Sequence, residues 1–120
     1  MASTLTIQYR NDAVSSTAIL VVAGNYILEN WNLMGGYATA TYLKLYNAAT
    51  AGAVIVGTTT PVTTLFIPPN GVAFLSNEGQ SQWQFPLGIV IAVVTGLQDS
   101  STGAPSTASY VELGYAQNTN

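Results

Sequence analysis

The sequence predicts an all-β fold, an antiparallel β-sandwich of about eight strands. Short segments rich in β-branched and aromatic residues alternate with clusters of Gly, Pro, Asn and Ser at intervals of about ten residues, which is typical of sandwiches and barrels. No long window keeps the apolar spacing of an amphipathic helix. The chain has 120 residues, the size of one domain, so we expect a single β-sandwich domain over residues 1–120.

Strand signals occur in ten short segments, several of which are expected to merge or to be lost. In chain order they are Thr4–Tyr9, Thr17–Ala23, Tyr26–Asn32, Thr39–Tyr46, Val54–Val56, Val62–Ile67, Val72–Leu75, Gln82–Phe85, Leu87–Val94 and Ser109–Tyr115. Residues 1–16 are open to a second interpretation, as an extended N-terminal arm.

Two hairpins are predicted from turn residues. The first turns at Gly35-Gly36, because glycine permits the positive φ angles of tight turns, and joins Tyr26–Asn32 to the strand that ends at Tyr46. With Leu28 opposite Leu45, one face suits the core and the other is aromatic, which suits an edge or a subunit contact. That second face carries Ile27, Glu29, Trp31, Tyr42, Lys44 and Tyr46, with Glu29 and Lys44 as a cross-strand ion pair. The second hairpin turns at Pro68–Gly71, between Val62–Ile67 and Val72–Leu75.

The segment Leu87–Val94 does not alternate between apolar and polar residues. A strand that is apolar on both faces is buried on both faces. We therefore expect a central strand, or a strand whose outer face is covered by a neighbouring subunit.

Charged residues are scarce, at 6% of the chain against about 25% in typical soluble domains. Two bases and five acids give a net charge of −3, with no basic patch for phosphate groups. We therefore expect no nucleic-acid partner and no attraction to an anionic membrane. A β-rich domain with so little charge is prone to associate, so we expect the working state to be an assembly.

The composition argues against an enzyme. The chain contains no His and no Cys, so it lacks the commonest general base, the commonest metal ligand and a thiol nucleophile. Its five acids are scattered over different predicted elements, and Asp99-Ser100-Ser101 is a weak ligand set that we interpret as a solvated turn. We expect no catalytic residue, no cofactor and no metal site.

Aromatic side chains are the best candidates for binding. Trp31, Trp83 and the seven tyrosines could stack on sugar rings, but subunit contacts are favoured in a chain with so little charge. Trp83 and Phe85 alternate with glutamines, which places both rings on one face. We interpret that face as core, with a subunit contact as the alternative. The candidate interface residues are Ile27, Trp31, Tyr42, Lys44, Tyr46 and Trp83.

Four motifs between Tyr26 and Tyr115 resemble small virion proteins of tailed bacteriophages. They are Lys44-Leu45-Tyr46-Asn47, Gly57-Thr58-Thr59-Thr60-Pro61-Val62, the turn Ile67-Pro68-Pro69-Asn70-Gly71, and Phe85-Pro86-Leu87-Gly88. The chain departs from that family in its alanine-rich link, where Ala48–Ala53 lacks the usual proline.

The resemblance implies a jelly-roll topology and a structural role. Phages use such modules as head decoration (cement) proteins, fibres and adhesins. We expect a non-enzymatic decoration protein on the outer surface of the capsid, which bridges neighbouring copies of the major capsid protein. A three-fold site on the head suits a homotrimer. The alternative is a tail-fibre or surface-adhesin module that binds glycans through exposed aromatic residues.

Overall fold

Nine strands and one short 3-10 helix form the regular structure in the part of the chain that the computed structural model describes, residues 6–35, 39–76 and 83–118. For residues 72–76 the description covers the backbone alone. The strands are β1 (Ile7–Val14), β2 (Ile19–Ala23), β3 (Tyr26–Met34), β4 (Thr41–Asn47), β5 (Thr63–Ile67), β6 (Val72–Ser76), β7 (Trp83–Phe85), β8 (Gly88–Val94) and β9 (Ser109–Gln117). The 3-10 helix, Ala51–Ala53, lies between β4 and β5.

The strands are arranged as a jelly roll. Sheet A has the order β1-β9-β3-β6, with the short β7 paired to the start of β3, and sheet B has the order β2-β8-β4-β5. Apart from β7, the first strand pairs with the last, the second with the second-last, and so on inward to β4 and β5, always antiparallel. This nested pairing, from the two ends of the chain inward, is the topology of a jelly roll. The predicted antiparallel β-sandwich is therefore confirmed.

One apolar core lies between the two sheets. Because side chains alternate along a strand, about every second residue of each long strand points into this layer, and a register shift between Leu28 and Asn30 changes the phase of the alternation within β3. The fully buried members include Leu28 and Leu33 of β3, Leu43 and Leu45 of β4, Ile89, Ile91 and Val93 of β8, and Val111 and Leu113 of β9. Burial of a side chain of this size stabilises a fold by about 1.5–3 kcal/mol, so this layer is the main source of stability.

Strand β8 is the central strand that the apolar segment Leu87–Val94 predicts. It lies between β2 and β4, and every residue from Gly88 to Val94 is buried. Its inner residues face the core, while Val90 and Ala92 on its outer face pack in a second apolar cluster with Val54. The outer face of β8 is thus covered by the chain's own loop, and no neighbouring subunit is needed to bury it.

The predicted hairpin between Tyr26–Asn32 and the strand ending at Tyr46 is wrong. Strand β3 pairs with β9, β6 and β7 in sheet A, whereas β4 pairs with β8 and β5 in sheet B. Glu29 and Lys44 therefore lie on different sheets and are not partners. The alternation of apolar residues shows which side chains face the core, but two strands on opposite sides of one core show the same alternation.

The turn at Pro68–Gly71 reverses the chain, but the strands that flank it do not form a hairpin. Asn70 has a φ of +48°, which is a turn conformation. Strand β5 belongs to sheet B and β6 to sheet A, so the turn carries the chain from one sheet to the other. The backbone N–H of Gly35, the residue after β3, donates to the carbonyl of Gly71 in this turn.

Two predicted segments differ from the structure in extent. Val54–Val56 is not a strand. This segment follows the 3-10 helix and lies over the outer face of sheet B. Strand β1 runs on to Val14 and pairs along β9, so residues 7–14 form an outer strand of sheet A. The start of the predicted strand, at Thr4, lies outside the described residues.

Candidate docking surface

One face of sheet B points away from the core between the sheets, and the chain's own loops cover part of that outer face. The outward residues of β4 and β8 are Tyr42, Lys44, Tyr46, Val90, Ala92 and Val94. Residues 48–62 lie over them through buried Val54 and half-buried Val56. Residues 95–103 lie beside that loop, since Gly57 and Thr102 approach so closely that a Cβ on Gly57 would clash. We call this outer face and its two loops the loop-covered face.

Lys44, one of the predicted interface residues, is buried beneath the second of these loops. Its side chain is 1% exposed. The Nζ atom donates to the carbonyl of Leu97 and, at 3.0 Å, to that of Gln98. Burial lowers the pKa of Lys44 below its ordinary value, and the charge of Asp99 opposes that shift. Lys44 thus fastens the loop of residues 95–103 to sheet B.

Tyr46, another of the predicted interface residues, is fully buried in the same layer. Among the described residues, its hydroxyl oxygen has no hydrogen-bond partner. Burial raises the pKa of Tyr46 above its ordinary value, and the negative charge of Asp99 adds to the effect. A buried hydroxyl without a partner costs about 1–3 kcal/mol of stability.

Substitution Tyr46→Phe is expected to leave the fold at neutral pH as stable, or about 1 kcal/mol more stable, because it removes that hydroxyl. The folded protein keeps the Tyr46 proton above pH 10.0, where the unfolded chain loses it, so Tyr46 makes stability fall as the pH rises through this range. The fall should be shallower in the variant. Urea unfolding at pH 7 and above pH 10 measures both effects.

The matched control is Tyr110→Phe, which removes a hydroxyl that accepts a hydrogen bond from Arg10 at 3.1 Å. This control should give no gain at pH 7. A loss above about 1 kcal/mol in Tyr46→Phe would show instead that its hydroxyl is hydrogen-bonded.

Exposed apolar side chains concentrate on the loop-covered face and its edges. Eight large apolar side chains among those described are more than a third exposed, and five of them lie here: Leu20, Ile55, Val62, Phe66 and Leu97. Phe66 of β5 is 51% exposed, and its ring centroid lies 5.7 Å from that of Tyr42. Monomeric proteins normally expose such residues singly, so a group of them indicates a contact surface.

Charged side chains lie mainly on the opposite side of the molecule, the outer face of sheet A. Arg10 of β1 lies beside Glu112 of β9, and its guanidinium stands 5.3 Å from the ring centroid of Tyr110. Glu112 accepts a hydrogen bond from Asn32 at 3.4 Å. On the loop-covered face, Asp99 is the one exposed charge among the described residues. The molecule therefore has one charged side and one neutral, apolar side.

The six predicted interface residues are not brought together. Ile27 is half-buried on the outer side of sheet A. Trp31 and Trp83 point inward from the same sheet, with ring centroids 5.3 Å apart, and pack against the core. Of the six, Tyr42 alone lies on the loop-covered face with its side chain partly exposed. The common face inferred for Ile27, Trp31, Tyr42, Lys44 and Tyr46 depended on the hairpin that the structure does not contain.

Phe66, Ile55 and Leu97 were not predicted as contact residues. A signal existed for Phe66, because it alternates with Leu65 and Ile67 and must point away from the core if they point toward it. No local pattern marks Ile55 or Leu97, which lie in irregular loops.

Neither a metal-binding group nor a membrane span emerges from the described residues. No three His, Cys, Asp or Glu side chains there lie close enough to hold a metal ion. No helix in that part of the chain is long and apolar enough to cross a membrane. Asp99, in the predicted solvated turn, is exposed.

The fold and this surface define a jelly-roll β-sandwich with one neutral, apolar side. Comparison of the chain with protein-family models, with curated proteins and with solved structures found no match.

Proposed function

We propose that the chain is a non-enzymatic structural protein of a phage virion, a head decoration protein on the outer surface of the capsid. It stabilises the capsid by bridging neighbouring copies of the major capsid protein. The observation that carries this proposal is the division of the molecule into a charged side and a neutral, apolar side. A cement protein needs one surface that adheres and another that remains compatible with water.

The fold and the motifs support the same role. Jelly rolls occur in viral capsid and lectin domains. The segments that resemble phage virion proteins include Lys44–Asn47, the second half of β4, which contains the lysine that holds the loop of residues 95–103. Another, Gly57–Val62, forms the end of the other covering loop. Two of the four motifs thus fall on elements that build the loop-covered face.

We propose a homotrimer as the bound form. A bridge at a three-fold position of the head contacts equivalent subunits around it, and a three-fold object can make the same contact with each. The contact between chains is then heterologous, joining two different surfaces of neighbouring copies.

The proposal is tested by binding of the chain to capsids assembled without it. The double variant Ile55→Ser, Leu97→Ser should weaken binding at least about tenfold, because it removes two exposed apolar side chains from the loop-covered face. Met34→Ser, on the charged side, should bind like the wild type. Binding should persist from low salt to about 1 M NaCl, since apolar contacts are not screened.

Two results would contradict the proposal: release of the protein from the capsid at high salt, and a low number of copies per virion. Release at high salt would indicate an electrostatic anchor such as Arg10, which lies on the other side of the molecule. A copy number of only a few chains per virion would place the protein in the tail.

A glycan-binding tail-fibre or adhesin module is the second candidate, and the aromatic pair of partly exposed Tyr42 and exposed Phe66 favours it. Aromatic rings at a surface can stack on the apolar faces of sugars. Titration with cell-surface glycans, wild type against Phe66→Ala, tests this candidate separately from capsid binding.

A further inference from the structure

We propose that β5 is a contact strand between two copies of this chain. In this contact, β5 of one copy pairs antiparallel with β5 of another about a two-fold axis, so two four-stranded B sheets become one sheet of eight strands. The contact describes the free chain in solution, whereas the homotrimer proposed above is the form bound to the capsid. The inference goes beyond the proposed function and does not depend on it.

Strand β5 is an unprotected edge. Among the described residues, it pairs on one side with β4, in an unbroken register from Thr63 to Ile67. Alternate backbone N–H and C=O groups of a strand point to opposite sides, so about half of those in β5 point away from β4. Proteins usually protect such edges with charges, bulges or an internal proline, and β5 contains none of these.

Two other outer strands show that protection. Strand β1 carries Arg10 and Asp12 and has a register shift between Asn11 and Val14. Strand β2, the opposite edge of sheet B, has a register shift between Leu20 and Val22. Pairing through β5 would therefore stop at a dimer. The combined sheet would end in a β2 strand on each side, and β2 is a protected edge.

The sequence of β5 suits pairing with itself. In an isologous antiparallel contact each residue meets a symmetry-related residue of the same strand, so a charge near the axis would meet its own copy. Strand β5 has no charged residue. With the axis at Leu65, Thr64 lies opposite Phe66 of the partner on the outer face, which is a cross-strand pair without repulsion.

The exposed apolar residues beside β5 extend the contact. Phe66 is 51% exposed and stands against Tyr42, and Val62, directly before the strand, is also exposed. Pairing of the two strands brings the two copies of Phe66 and Val62 onto one surface and removes apolar area from water. Backbone hydrogen bonds and apolar burial thus act at the same edge.

The test is the mass of the protein in solution by sedimentation, together with amide hydrogen exchange. Wild type should form a species of two chains of 12.5 kDa. Phe66→Lys should raise the dissociation constant at least about tenfold, because each lysine places a charge at the paired edge. The β5 amides should exchange slowly in the wild type and faster in the variant.

The matched control is Leu20→Lys, which places the same charge on an exposed outward residue at the opposite edge of sheet B. It should dimerise like the wild type, and at concentrations well below the dissociation constant of the dimer all three proteins should unfold at similar urea concentrations. A wild-type monomer at high micromolar concentration would overturn the inference, as would a trimer that Phe66→Lys leaves intact. Capsid binding is measured separately, so failure of this contact does not decide the proposed function.

Discussion

Substitution Gly88→Ala is expected to destabilise the protein by about 3–5 kcal/mol, as the sum of backbone strain and overpacking. Gly88 begins β8 with a φ of +150°, a conformation that side chains with a Cβ rarely adopt. A Cβ there would lie 2.5 Å from the carbonyl oxygen of Ala48 and 2.7 Å from that of Val22. Both are backbone atoms, so neither can rotate away.

Denaturant unfolding of Gly88→Ala beside Gly52→Ala measures this effect. A Cβ on Gly52 would meet no atom within 4 Å, so this control should change stability by less than about 0.5 kcal/mol. A loss below about 1 kcal/mol in Gly88→Ala would mean that the ends of β2 and β4 yield easily around β8.

Substitution Phe85→Ala is expected to cost about 3–5 kcal/mol, the range for a fully buried aromatic ring. Phe85 has no exposed surface and lies opposite Tyr26 on the inner side of sheet A. Trp83→Ala should cost less, about 2–3 kcal/mol, because Trp83 is only partly buried against the core and Trp31. Gln84→Ala, between them and exposed, should change stability by less than about 0.5 kcal/mol.

The Trp83→Ala variant also separates the two candidate functions. If the ring serves the core, stability falls and any loss of binding follows from unfolding. A Trp83→Ala protein as stable as the wild type that had lost carbohydrate binding alone would contradict the core assignment and favour the adhesin. Thermal unfolding and glycan titration on the same sample distinguish these outcomes.

The strands of this fold could be predicted because each carries its own local signal. Gly88–Val94 is apolar on both faces, and that alone indicates a central strand. Glycine, proline and asparagine clusters mark most of the ends. The partners of each strand could not be predicted in this way, because β3 and β4 both alternate toward one core and nothing in either states which sheet it joins.

The candidate surface was less predictable for the same reason. In an alternating strand, a lysine such as Lys44 is expected to lie at the surface. Its burial depends on the carbonyls of Leu97 and Gln98, more than fifty residues further along the chain. Long-range contacts of this kind leave no local pattern. Phe66 shows the opposite case, since its position between Leu65 and Ile67 suffices to place it outward once β5 is recognised.

The position of β9 determines how this chain must fold. It lies between β1 and β3, so sheet A is split in two until the last strand arrives. Arg10 and Glu112, neighbours in the finished sheet, come from opposite ends of the chain. Pairings over such distances require closure of long loops before any contact stabilises them, and domains dominated by such pairings fold in about milliseconds to seconds. Completion of sheet A during synthesis therefore waits until β9, which ends at residue 117, has left the ribosome, and partly made chains expose strand edges that the finished fold conceals.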